Sequence, residues 1–73
     1  MKLKDAIVRL ETLPYAYSSE DDGKRFKTEW EAGINRAQLL DTLRLEVATH
    51  EMCDNWAKAD YVREVLNALR RAL

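Results

Sequence analysis

The segment RAQLLDTLRLEVATHEM, residues 36–52, is the only part of the chain that is apolar on two sides when it is wound at 3.6 residues per turn. One side carries, at spacings of three and four, Leu39, Leu40, Leu43, Val47 and His50. Nearly opposite lie Leu45, Ala48 and Met52. The pattern predicts a central helix over 36–51, with a strand as the alternative because apolar residues also alternate over 43–49. The sequence leaves two alternatives open for the second side: either a second helix covers it, or it is left open for a partner.

Two further helices flank this segment. The first spans 2–13 and should end before Pro14, because proline disfavours helical geometry at the preceding residue. Its apolar side comprises Leu3, Ala6, Ile7, Leu10 and Leu13. The last spans 55–73, with Asp54 or Asn55 as its N-cap. Its apolar side comprises Ala59, Val62, Val65, Leu66, Leu69 and Leu73.

Residues 14–28 are less regular. Asp22-Gly23 is a turn signal between aromatic residues, which suggests a short hairpin. Both arms are short and polar, so we favour a loop over 14–22. A short helix should follow over 24–32, with Thr28 and Glu31 as a capping box.

The tripeptide Gly33-Ile34-Asn35 should separate this short helix from the central one. Glycine supplies a permissive backbone, and Asn35 can cap the next helix with Gln38 at the matching third position. The alternative is one long helix that continues through Gly33 at a cost of roughly 1 kcal/mol.

Length and composition indicate one mainly α domain, 1–73, of three or four helices. The chain has 73 residues, of which 47% are hydrophobic and 34% charged, as in folded rather than disordered proteins. The start MKLKDAIVRL is too polar for a signal peptide, and no apolar run approaches the roughly 20 residues that span a bilayer. We therefore expect a cytoplasmic protein without a membrane segment.

The reactive side chains gather in His50-Glu51-Met52-Cys53-Asp54. His50 and Cys53 have the spacing of half a zinc site, but the chain has no second Cys or His to complete it. We expect no metal, no cofactor and no catalytic activity. His50 should be a partly buried packing residue, and Cys53 a small apolar residue in a connection.

A DNA-binding role is one functional hypothesis. The segment 31–40 looks like a helix-turn-helix corner, with Gly33 in the turn. The would-be recognition helix, however, carries two acidic residues against two arginines, Arg36 and Arg44, and the net charge of the chain is -1. Acidic groups facing phosphates oppose binding, so a small DNA-binding regulator is the alternative function.

Protein binding is the leading hypothesis. Aromatic and arginine residues dominate contact energy at interfaces, although the same aromatics can fill a small core. The candidate partner-binding residues are Tyr15, Tyr17, Arg25, Phe26 and Trp30. Tyr17 and Arg25 lie beside a polar turn and should be exposed. We expect a larger protein as partner, and a chain that is a monomer or a weak homodimer.

The chain, with its length and its charged segment SSEDDGKR at 18–25, resembles the small early proteins with which phages take over host machinery. Within that class it is similar to a family of inhibitors and antiterminators, from phages infecting Xanthomonas, that bind host RNA polymerase. The resemblance implies a non-enzymatic protein that docks on the large polymerase subunits and alters transcription initiation and termination. It rests on length and texture, so it assigns no residue.

Overall fold

A computed structural model describes residues 1–73, which form four α-helices and no strands. The helices are α1 (Leu3–Arg9), α2 (Glu20–Glu31), α3 (Arg36–Met52) and α4 (Trp56–Arg71), and a 3-10 turn at Leu10–Thr12 continues α1. This confirms the mainly α prediction and the three long segments. The hairpin and the strand considered above do not form.

The core lies where α4 packs against both α3 and α1, and where α2 packs against the 3-10 turn. A three-residue connection reverses the chain between α3 and α4, so these two helices run antiparallel. The fifteen buried apolar residues are Ala6, Leu10, Leu13, Phe26, Trp30, Leu39, Leu40, Leu43, Val47, Ala59, Val62, Val65, Leu66, Ala68 and Leu69. The predicted stripes of α1, α3 and α4 therefore face inward, except that Leu3 and Leu73, at the chain ends, are exposed.

Helix α2 begins at Glu20, so the prediction of a loop through residue 22 is wrong. The Ser19 hydroxyl accepts the Asp22 N–H at 3.2 Å, and the Asp22 carboxylate accepts the Ser19 N–H at 3.0 Å. This capping box starts the helix ahead of the expected one at Thr28, whose hydroxyl instead donates to the Lys24 carbonyl. Three acidic residues in the first turn favour the early start, because they lie at the positive end of the helix dipole.

Gly23 lies inside α2 rather than in a turn. A Cβ at this position would come within 2.5 Å of the Leu10 carbonyl oxygen and 3.0 Å of the Tyr15 ring. Helix α2 can approach the 3-10 turn this closely only because the side chain is absent. Close packing against the 3-10 turn therefore explains why a glycine lies inside α2, although glycine costs a helix roughly 1 kcal/mol relative to alanine.

The break between α2 and α3 is confirmed. Gly33 adopts a left-handed φ of 73°, and the Ile34 N–H donates to the Glu29 carbonyl at 2.8 Å. This is a Schellman ending, which satisfies carbonyls that the helix leaves free. Asn35 occupies the predicted N-cap position of α3, but its φ is 55° and its side chain makes no capping hydrogen bond.

The turn from α3 to α4 repeats this ending with an aspartate in the left-handed position. Asp54 has a φ of 58°, and the Asn55 N–H donates to the His50 carbonyl at 2.8 Å. Asn55 is the N-cap residue of α4, again without a side-chain bond. Cys53 lies in this connection as predicted, but it is exposed rather than packed.

No helix in the structure has both the length and the hydropathy that crossing a bilayer requires.

Candidate protein-binding surface

The loop between the 3-10 turn and α2 is held by a buried carboxylate. Glu46 of α3 is fully buried, and its carboxylate accepts the backbone N–H groups of Ala16, Tyr17 and Ser18, at 3.3 Å for Tyr17 and 3.0 Å for Ser18. Hydrogen bonds to an ionised acceptor are about twice as strong as neutral ones. Three successive backbone amides are thereby fixed on α3.

One helical turn further along α3, His50 holds the same loop. The Nε2–H of His50 donates to the Pro14 carbonyl, and the side chain is 4% exposed. His50 is thus buried in the first stripe, as predicted, and it also has a specific polar partner. The loop is tied to α3 at Pro14 and at 16–18.

Sequence reasoning missed this anchor, because it treated Glu46 only as one of the two acidic residues, with Asp41, of the would-be recognition helix. The signal was present in the spacing: Glu46 falls between Leu43 and His50 on the buried side of the helix. A charged residue on an apolar stripe needs a buried partner, since an unpaired buried charge costs several kcal/mol. The sequence did not indicate that the partner would be loop backbone.

Tyr15 is half-buried and acts mainly within the fold. Its hydroxyl donates to the Leu10 carbonyl at 2.7 Å, and its ring meets Phe26 edge to face at a centroid distance of 6.0 Å. Burial raises the pKa of the Tyr15 hydroxyl, and the nearby carboxylates of Glu46 and Asp22 raise it further. Tyr15 is one of the five predicted binding residues, but only part of its ring is accessible to a partner.

Tyr17 is 51% exposed, as predicted. Its hydroxyl donates to the Thr42 carbonyl of α3 at 3.2 Å, and its backbone N–H is held by Glu46. Desolvation, followed by the charge of Glu46, raises the pKa of the Tyr17 hydroxyl. The ring is thus presented to solvent in a fixed orientation.

Arg25 is also exposed, with 59% of its side chain accessible. Its guanidinium lies 3.4 Å from the Asp22 carboxylate and 5.1 Å from the centre of the Phe26 ring. The backbone N–H of Ser19 is the main cause of the lowered pKa of Asp22, and Arg25 is a smaller one. A surface ion pair of this kind is weak, so the guanidinium remains available to an acidic group.

Phe26 and Trp30, for which the sequence left contact and core roles open, are core residues. Phe26 is 7% exposed and Trp30 only 2%. Both point inward because they share one side of α2 with Gly23. Arg36 covers Trp30 from outside, with its guanidinium 4.8 Å from the ring centre and donating to the Trp30 carbonyl.

Tyr17 and Arg25 meet at one open cleft between α2 and α3, which encloses about 260 Å³. The lining is largely polar, and its residues are Tyr17, Ser18, Asp22, Arg25, Phe26, Glu29, Asn35, Gln38, Leu39 and Thr42. The structure therefore brings together the two exposed members of the predicted set and the edge of Phe26. Trp30 does not line this cleft.

The second apolar side of α3 is uncovered. Leu45 is 54% exposed and Met52 84%, and Ala48 between them is exposed. This exposure excludes one of the two alternatives that the sequence left open. No second helix covers this side.

No group of three or more His, Cys, Asp or Glu side chains is arranged to hold a metal ion. The ion pairs on the surface join neighbouring helices or adjacent turns, such as Arg63 with Glu51 at 2.7 Å.

No family model, curated protein or solved structure matches this chain.

Proposed function

We propose that this protein is a non-enzymatic adaptor or inhibitor that binds a larger protein through the surface around Tyr17 and Arg25. As its resemblance to phage inhibitors implies, we propose bacterial RNA polymerase as the target. Binding would inhibit initiation, cause antitermination, or do both. The proposal needs no chemistry beyond recognition.

One observation carries the choice of surface: an exposed tyrosine and an exposed arginine converge on the same cleft. Tyrosine and arginine are enriched among residues that dominate binding energy. Glu46 already holds the loop that carries Tyr17. Little conformational entropy is therefore lost when a partner binds Tyr17. A preorganised aromatic side chain beside an exposed guanidinium suits a protein contact.

The corner between α2 and α3 gives little support to the alternative, a DNA-binding regulator. Arg36, the first basic residue of the would-be recognition helix, is occupied by the Trp30 ring and carbonyl. Arg44 lies 3.6 Å from the carboxylate of Asp41 on the exposed side of the same helix. A phosphate contact through Arg44 would bring the Asp41 carboxylate close to the DNA, where its negative charge opposes binding.

Binding of purified bacterial RNA polymerase to the immobilised protein tests the proposal, with transcription from a promoter template as the second readout. The double variant Tyr17→Ala/Arg25→Ala should lose about thirtyfold in affinity, which corresponds to about 2 kcal/mol. Its circular dichroism should remain helical, because both side chains are at the surface.

Arg44→Ala is a matched control. Arg44 has the same side-chain exposure as Arg25, 59%, and a comparable aspartate partner three residues away. Polymerase affinity should be unchanged in this variant. If the wild-type protein does not bind polymerase, the target is wrong; if both variants bind alike, the surface is wrong.

DNA binding is measured in parallel at two salt concentrations. A protein that neutralises several phosphates loses affinity steeply as salt rises. We expect no DNA binding near physiological salt. Salt-sensitive micromolar binding that disappears in Arg36→Ala/Arg44→Ala would establish the alternative function instead.

A further inference from the structure

The cleft between α2 and α3 has two polar walls, each formed by one side of a helix. The α2 wall consists of Asp22, Arg25 and Glu29, and the α3 wall of Asn35, Gln38 and Thr42. Both sets recur at spacings of three and four, which places their members along one side of their helix. Seven positions of a helix rise about 10 Å, which is the length of about three residues of extended chain.

The α2 wall offers one positive and one negative group to a partner. The ion pair of Arg25 with Asp22 uses Nη2 alone, at 3.4 Å, so Nε and Nη1 of the guanidinium can reach a further carboxylate. Glu29 is half-buried and takes part in none of the ion pairs of the molecule. The cleft therefore contains a guanidinium and an unpaired carboxylate that lie four positions apart on α2.

The α3 wall offers amide groups instead of charges. Asn35 and Gln38 are both exposed, and the Asn35 side chain makes no capping hydrogen bond to α3. An amide side chain carries two N–H donors and a carbonyl acceptor, so it can bond both the C=O and the N–H of a peptide unit. This wall suits the backbone of a bound segment, whereas the α2 wall suits its charged side chains.

We propose that the cleft binds an extended segment of the partner protein in which an acidic and a basic residue are separated by one position. The acidic residue faces Arg25 and the basic residue faces Glu29. This inference rests on the proposed function, because it concerns the same cleft.

The spacing follows from helix and strand geometry. Four positions of helix separate Arg25 from Glu29 by about 6 Å along α2. In an extended chain, residues two apart project to the same side at a separation of about 7 Å, which matches that distance. Adjacent residues project to opposite sides, so an adjacent acidic and basic pair cannot meet both groups.

A titration of the ¹⁵N-labelled protein with blocked pentapeptides, followed by NMR, tests the spacing. Two spaced peptides, Gly-Asp-Ala-Lys-Gly and Gly-Lys-Ala-Asp-Gly, cover both chain directions. The control, Gly-Asp-Lys-Ala-Gly, has the same composition and net charge but adjacent charges.

We expect at least one spaced peptide to shift the side-chain amide signals of Asn35 and Gln38. That peptide should bind about threefold more tightly than the control, which is the effect of one exposed ion pair. The proposal is overturned if neither spaced peptide binds more tightly than the control, or if no shift appears at about 10 mM peptide.

Glu29→Gln tests the partner of the basic residue. Its affinity for the better spaced peptide should fall about threefold, whereas its affinity for the same peptide with alanine in place of lysine should be unchanged. Glu31→Gln is the control, because Glu31 lies on the same helix but outside the cleft, and it should bind both peptides like the wild type. An equal loss for both peptides in Glu29→Gln, or the same selective loss in Glu31→Gln, contradicts the assigned contact.

The peptide titration contains no polymerase. Its failure would therefore overturn the extended segment alone, whereas a protein that does not bind polymerase would overturn the target alone.

Discussion

The carboxylate of Glu46 accepts the backbone N–H of Ser18 at 3.0 Å, across 28 positions of the chain. Together with the bonds to Ala16 and Tyr17, this contact makes the loop at 14–18 an extension of α3 rather than an independent segment. The exposed Tyr17 is therefore positioned by a residue that no solvent or partner reaches.

Replacing Glu46 with Gln should destabilise the fold by about 2–4 kcal/mol, because one oxygen becomes an NH₂ group that faces backbone N–H donors. The measurement is the free energy of unfolding from urea denaturation. Glu64→Gln is the control, since 64% of that side chain is exposed, and its effect should lie within about 0.5 kcal/mol. Similar values for the two variants would contradict the structural role of Glu46.

Replacing Gly23 with Ala should lower the free energy of unfolding by about 1–3 kcal/mol, although alanine is the better helix former. The new Cβ would collide with the Leu10 carbonyl, which is backbone and cannot turn aside as a side chain can. Thermal unfolding followed by circular dichroism measures the loss.

Gly33 provides the contrast, because its surroundings are empty and only its φ of 73° restricts it. Gly33→Asn should therefore be milder than Gly33→Ala, since asparagine tolerates the left-handed region. At Gly23, by contrast, substitution by either Asn or Ala should lower the free energy of unfolding. A harmless Gly23→Ala would show that α2 does not approach the 3-10 turn as closely as described.

Asp54→Gly should stabilise the protein by about 0.5–1 kcal/mol, because it removes a side chain from a residue with left-handed backbone geometry. Asp54→Ala should destabilise it, since alanine lacks the local hydrogen bonding that lets aspartate adopt this geometry. Urea midpoints for the two variants should therefore move in opposite directions from the wild type. A shift in the same direction would indicate that the charge of Asp54, not its φ, dominates.

Tyr15 should make the fold sensitive to alkaline pH. Its pKa in the folded state is raised above the ordinary value of 10.0, so folding favours the protonated phenol. The resulting stability is complete below pH 10 and is lost as pH rises above the pKa of the unfolded state. Stability measured from pH 8 to 11 should therefore fall at the alkaline end.

Tyr15→Phe isolates this effect. The variant loses the hydrogen bond to the Leu10 carbonyl and should be less stable at pH 8. Its stability should then fall less steeply between pH 10 and 11 than that of the wild type. Parallel curves for the two proteins would assign the alkaline loss to another group.

Helix positions followed from the sequence wherever apolar residues formed one continuous stripe, as at Leu10, Leu43 and Leu69. The end of α1 before Pro14 and the break at Gly33 were also predictable, because proline and glycine act through local backbone geometry. Exposure of Tyr17 and Arg25 followed from the polar segment around them.

Tertiary structure decided the rest. Gly23 lies in a helix because another backbone passes beside it, and Glu46 is buried because three amides distant in sequence converge on its carboxylate. Phe26 and Trp30 could have been contact residues or core residues on their spacing alone, and only the packing of α2 against its neighbours buried them. Periodicity records which side of a helix is apolar, whereas the neighbours present in the fold determine whether that side is covered.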